Sequence, residues 1–293
     1  MEFSIIIPSV DNYKFCKLTV DSIKKNSKFN HEIIISLIEK YTSKEEIDYF
    51  KNINVKIYLN KSHKGFCTSV NNGLKLATKE YITLSDDDMY YLPKWDEHLS
   101  KETHNLNHSM FFLSSTMLEN KKIINKIYTK FSKRYPNHIY YNGGNNPDEF
   151  NEDKILSEFN ELKFHNWNGT HHTPCVIHRT LVDKINGMSE EFNPASGSDP
   201  DFCMKLWNEG VRIFKGVNKS RVYHFGSKTT RRGNITMNDG HKTFLKKWGI
   251  TIDFFIEYYL KRGTPYNGEL KIKKNFFYYF DLIICKIKLL FNN

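Results

Sequence analysis

An α/β fold on a mixed, mostly parallel sheet is what the sequence predicts, and three observations predict it. Apolar runs at 3–7, 31–38, 55–59 and 81–84 have the length and composition of buried strands. Helix-like stretches at 12–25, 43–50 and 66–78 separate them, which is the alternation of βαβ units. The first and fourth runs end in polar, chemistry-bearing residues, Pro8-Ser9-Val10-Asp11 and Asp86-Asp87-Asp88. Sheets of this kind bind their ligands there, beyond the carboxyl ends of the strands.

The later elements follow in order. The polar stretch 134–152, with Gly143-Gly144 and two prolines, reads as a loop. A strand follows at 173–179, then a helix at 179–186. A second helix covers 199–209 with Asp199 at its N-terminus, and short strands fall at 211–214 and 221–224. At 275–291, Phe276, Phe280, Ile283, Ile284, Ile287 and Phe291 share one helical face, with Lys286 and Lys288 off it.

With 293 residues, 39% of them apolar, the chain can bury a sizeable core. Its five cysteines are scattered and form no CxxC pair, the first residues lack a basic leader, and both point to reduced thiols and a cytoplasmic location. Residues 241–293 carry ten Lys and Arg against four Asp and Glu, so much of the net charge of +10 sits at the end. The 275–291 segment is too short and too charged to span a bilayer. A helix lying on anionic lipid through 270–293 and a helix packed on the domain or in a homodimer interface both fit it.

Three consecutive carboxylates at the end of an apolar strand repel one another. A hard divalent cation such as Mg²⁺ or Mn²⁺, itself bridging to phosphate oxygens, makes them favourable. A turn or helix cap is the structural alternative.

Several ordered motifs give this chemistry a context. "SIIIPSVDNYKFCKLTVDSI", "NKSHKGFCTSVNNGLKLATKEYITLSDDDMYYLPKW", "GSDPDFCMKLWNEGVRIFKG" and "RVYHFGSKTTRR" together span about three quarters of the chain. In that order they resemble the inverting, nucleotide-sugar-dependent glycosyltransferases of family 2, which have a GT-A fold. The resemblance implies three parts: 1–105 as the nucleotide-sugar-binding half, 106–240 as the acceptor and catalytic half, and 241–293 as a basic, aromatic helical extension.

Residue by residue, the resemblance makes Asp88 the metal ligand on the donor diphosphate, with His224 completing the metal site; Asp86 contacts the ribose or a metal-bound water or joins the ligands, and Asp87, between them in an ambiguous register, can do either. It places Pro8, Ser9 and Asp11 around the nucleotide base and Asn71 on the helix lining the nucleotide. The family's Asp-Asp-Gly-Ser run after the second strand is missing; Glu39 stands near its place. Asp199 becomes the catalytic base, with Asp201 in reserve and a plain helix cap as the alternative. Lys228, Arg231 and Arg232 become a loop over the diphosphate. A UDP- or GDP-linked donor, Mn²⁺ or Mg²⁺, and a glycan or lipid-linked acceptor follow. Transfer to nucleic acid bases and a non-catalytic binding relative are the rivals. Nucleic acid is disfavoured because the basic charge accompanies an apolar tail rather than a groove of interleaved aromatics. Zinc binding by His165, His171, His172 and His178 is disfavoured because no cysteine pair accompanies them. Trp167 is read as a platform for a sugar ring, and Trp207 as core.

Overall fold

The computed structural model describes residues 1–121, 135–170, 173–226 and 238–291. Its first half is the predicted alternation: β1 (Phe3–Pro8), α1 (Tyr13–Asn26), β2 (Glu32–Ile38), α2 (Lys44–Asn52), β3 (Lys56–Asn60), α3 (Phe66–Leu74) and β4 (Tyr81–Leu84). Strands β3, β2, β1 and β4 lie side by side in that order, all parallel. The strand period of two divides their residues between two cores. Ile5, Ile7, Ile33 and Ile35 face Cys16, Val20, Ile23 and Phe50 of α1 and α2. Ile6 and Ile34 face Val70 of α3. Gly73 is required where α3 crosses β1, because a Cβ there would lie 2.6 Å from Ile6 Cγ2.

The second half extends the sheet. After β5 (Met89–Tyr91) come α4 (Trp95–Leu106), β6 (Phe111–Glu119), β7 (Ile139–Tyr140), α5 (Glu152–Glu158), β8 (Trp167–Asn168), β9 (Cys175–His178), α6 (Arg179–Lys184), α7 (Ser198–Asn208) and β10 (Ile213–His224). The strand order continues from β4 through β9, β6 and β10 to β5. Strand β9 is antiparallel to both neighbours, and β5 is antiparallel to β10, while β6 and β10 are parallel.

Two readings are corrected here. The strands expected at 211–214 and 221–224 are one strand, β10, whose polar middle is carried by a register shift between Val217 and Arg221. Trp167 is fully buried and offers no face to a sugar. Its indole lies on Gly216, where a Cβ would come within 1.9 Å of the ring, and Nε1 donates to Thr116 Oγ1 at 3.1 Å. Trp207 is core as expected, stacked on Phe214.

The chain closes with α8 (Gly240–Trp248), α9 (Ile252–Phe254), a π-helical turn at Phe255–Leu260, and α10 (Phe276–Leu290). These helices join the core on the α3 side of the sheet. All five cysteines are buried and free. Among the described residues no helix is long and apolar enough to cross a membrane.

Candidate active site

The turn from β4 into β5 carries the three aspartates, and the sheet brings their partners to it. Strand β5 pairs with the end of β10 so that Met89 lies opposite His224, and Phe225 N donates to the Asp88 carbonyl at 3.0 Å. On its other side His224 is in register with Glu119, the last residue of β6. Side-chain ligand atoms of Asp86, Asp88 and His224 all lie within 4.8 Å of one another, the one such trio among the described residues. His224 Nε2 is 3.4 Å from Asp88 Oδ1, and His224 Nδ1 is 2.6 Å from Glu119 Oε1. Glu119 thus orients the imidazole from behind, as carboxylates do for metal-binding histidines. The sequence reading missed Glu119. Its signal was faint: one acid at the end of a strand interrupted by Ser114-Ser115-Thr116.

Among the described residues, the carboxylates of Asp86, Asp88 and Glu119 share one imidazole here. Burial, and then the charge of Asp88, push the Asp86 carboxyl up to about 7, partly offset by His224 and by the Thr173 hydroxyl that donates to it at 2.5 Å. Burial pulls the His224 pKa down. The Asp88 charge and the hydrogen bonds to Asp88 and Glu119 outweigh it and hold the ring well above the ordinary histidine range. Two carboxylates and an imidazole form a donor set of hard oxygens and one nitrogen, which suits Mn²⁺ and, less closely, Mg²⁺.

The middle aspartate has a different part. Asp87 is buried and accepts from Ser9 Oγ at 2.6 Å, while its carbonyl accepts from Thr19 Oγ1 at 2.9 Å. It ties the ends of β1 and β4 together. Ser9 follows Pro8 directly and holds β2 as well, its N–H donating to the Ser36 carbonyl at 2.9 Å. Asp11 is exposed, in the left-handed region at φ 49° that aspartate tolerates. Glu39 is exposed at the end of β2. These positions line the carboxyl edge of the parallel strands.

Asn71 does not join them. Its amide is clamped on the backbone of Met188, accepting from the N–H at 2.8 Å and donating to the carbonyl at 2.9 Å. The next residue, Asn72, turns toward the strand ends and donates to Asn60 Oδ1 at 2.7 Å. Lys228, Arg231 and Arg232 lie outside the described residues. So do His171 and His172, while His178 pairs with Glu80 and caps α6.

Asp199 and Asp201 stand in the first turn of α7 and differ sharply. Asp199 is exposed, and its charge adds weakly, behind burial and Asp88, to the upward push on the Asp86 carboxyl. Asp201 is 1% exposed and held through one oxygen: Lys247 Nζ is 2.9 Å from Oδ1 and Trp248 Nε1 donates to Oδ1 at 2.8 Å, while Oδ2 is buried without a hydrogen bond among the described residues.

An α/β sheet that gathers two aspartates and a histidine at its carboxyl edge, with a further exposed aspartate in the first turn of α7, has the frame of a GT-A glycosyltransferase. The model of the family described as glycosyl transferase family 2 matches residues 4–185, and the chain belongs to that family. No curated protein sequence matches it. Among solved structures it is similar to S. aureus TarS 1–349 in complex with UDP-GlcNAc, with a TM-score of 0.57 and 14% identity over 87% of this chain and 67% of that one. It is also similar to GalNAc-T7 with UDP, GalNAc and Mn²⁺, with a TM-score of 0.56 and 15% identity over 84% of this chain and 47% of that one. The chain spans 66% of the TarS fragment crystallised alone. At such identities these likenesses speak for the fold.

Proposed function

We propose that the protein is a divalent-metal-dependent, inverting glycosyltransferase that moves a sugar from a nucleotide diphosphate donor to an acceptor hydroxyl. The observation that carries this is the Asp86–Asp88–His224 trio at the carboxyl edge of the sheet, in a chain of family 2. Asp88, Asp86 and His224 would hold Mn²⁺ or Mg²⁺, whose charge would offset that of the departing diphosphate. Ser9 and Asp87 fix the loop on which the nucleotide rests, with Pro8, Asp11 and Glu39 at its rim. Asp199 takes the proton of the attacking hydroxyl, for which its exposure in the first turn of α7 suits it. Lys228 and Arg231 are assigned to the diphosphate by the family resemblance alone. The TarS and GalNAc-T7 complexes favour a UDP-linked donor. The acceptor is a glycan, free or lipid-linked.

Thermal-shift measurement against UDP- and GDP-sugars, with and without Mn²⁺, tests the reading. A donor at a hundred times its Kd adds about 2.7 kcal/mol of stability. The shift is expected with a UDP-sugar and Mn²⁺ together, and is expected to vanish in Asp88→Ala. A metal-independent shift that survives Asp88→Ala would overturn it.

A further inference from the structure

Helix α10 has two faces, one buried against the described part of the fold and the other largely exposed. The inner face is anchored by Tyr278, Asp281 and Cys285, all buried. Tyr258 donates to Asp281 Oδ2 at 2.5 Å, and Thr251 N donates to Cys285 Sγ at 3.4 Å. At 100° per residue the opposite face is a continuous apolar stripe. Phe276 is 74% exposed, Ile283 56%, Ile287 47% and Leu290 74%, with Tyr279 and Phe280 beside them. Lys286 and Lys288 stand on its two flanks, and exposed Lys271, Lys273 and Lys274 precede its first turn.

We propose that this outward face docks on an anionic lipid surface, with the helix lying in the plane of the interface. A row of large apolar side chains bordered by lysines matches the acyl-chain and headgroup levels of such a surface. Fifteen residues make a helix of about 22 Å, too short for a hydrocarbon core of about 30 Å, so it lies on the membrane rather than through it. Charge argues against a second copy as occupant. An isologous pairing sets the patch against its own image and brings lysine against lysine. The docking stands on α10 alone and does not depend on the catalytic reading. If both hold, the lipid-linked acceptor is the one in reach, because α8, on which α10 packs, is bonded to α7 through Lys247 and Asp201.

Co-sedimentation of the full chain with vesicles tests it. Vesicles of phosphatidylcholine with phosphatidylglycerol are expected to pellet the protein at low salt, and less of it at high salt. The triple variant Phe276→Ser, Ile283→Ser, Ile287→Ser is expected to bind at least tenfold more weakly with an unchanged melting temperature, since it leaves the inner anchors intact. Each of Lys271→Gln, Lys273→Gln and Lys274→Gln is expected to lose about fivefold at low salt. Absence of binding to the anionic vesicles, or undiminished binding of the triple variant, would overturn the proposal. So would a dimer of the lipid-free chain in sedimentation velocity that the triple variant abolishes while vesicles do not compete for it.

Discussion

Asp199 and Asp201 are two residues apart and have opposite surroundings, so they give opposite predictions. Asp199→Asn keeps the shape of the exposed side chain but removes the proton acceptor. Its transfer rate should fall on the order of 10²–10⁴-fold with donor binding intact. Asp201→Asn strips charge from the bonds to Lys247 and Trp248, so it should lower stability by about 1–3 kcal/mol and affect rate only through the fold. Steady-state kinetics beside thermal melts separate the two, and rate loss in Asp201→Asn alone would reverse the assignment. Glu119 gives a further prediction at this scale. Glu119→Gln leaves the three proposed ligands in place and loosens His224, so Mn²⁺ affinity in calorimetry should drop about 10–100-fold. At the residue scale the sequence singled out Asp86, Asp88 and His224, and the fold brings their side chains within 4.8 Å of one another, because strand ends concentrate polar groups in parallel sheets. It missed Glu119 because the acid reaches His224 through the register of β6 with β10, over a separation of 105 residues that no local pattern records.

At the scale of elements, legibility followed the source of each element's stability. Strands β1, β2 and β4 were readable because burial on both faces makes them continuous apolar runs, whereas β3, at the sheet edge and mostly uncovered, was readable only from its Ile57-Tyr58-Leu59 core. Strand β6 was not, because its middle buries Ser115 against Ser220 and Thr116 against Trp167. These are polar groups satisfied only by distant partners. The same partnering explains Trp167, which an isolated loop sequence presents as an open ring. Trp167→Ala should therefore cost about 3–5 kcal/mol in denaturant unfolding, rather than raise the KM for acceptor selectively.

Glu32, at the start of β2, carries the pH prediction. Burial would raise its pKa. Hydrogen bonds from Lys56, Ser4 and Thr78 outweigh burial and hold it at about 2, against 4.5 for the ordinary residue. A carboxylate depressed on folding stabilises the fold above its unfolded pKa and loses that contribution as pH falls through its folded one. The stability gap between the wild type and Glu32→Gln should therefore be full at neutral pH and close between pH 4.5 and about 2, read from melts across that range.

At the scale of the whole molecule, the helices after β10 are bonded to α7 and the loop that enters it. Lys247 and Trp248 of α8 hold Asp201, two residues from the proposed base. Asn238, just before α8, exchanges two hydrogen bonds with Ser196, on the loop entering α7. Helix α10 then closes over α8 and α9, covering Phe254 and Tyr258 with Tyr278. The sequence left two readings of α10 open, lipid docking and packing on the domain. The structure shows packing by its inner face, and leaves the outer face exposed. Removal of residues 270–293 should thus act differently from substitution of the outer stripe. Truncation uncovers the Tyr258 and Phe254 rings and deletes the Asp281 and Cys285 anchors. A loss of about 3 kcal/mol would lower the melting temperature on the order of 5–10 °C, and transfer should slow because the support behind α7 loosens. The Phe276, Ile283 and Ile287 triple variant should leave both quantities unchanged in the absence of lipid. Differential scanning calorimetry with a soluble acceptor assay on the two proteins is the measurement. A truncated chain that melts and turns over like the full one would show that α10 is not integrated in the fold.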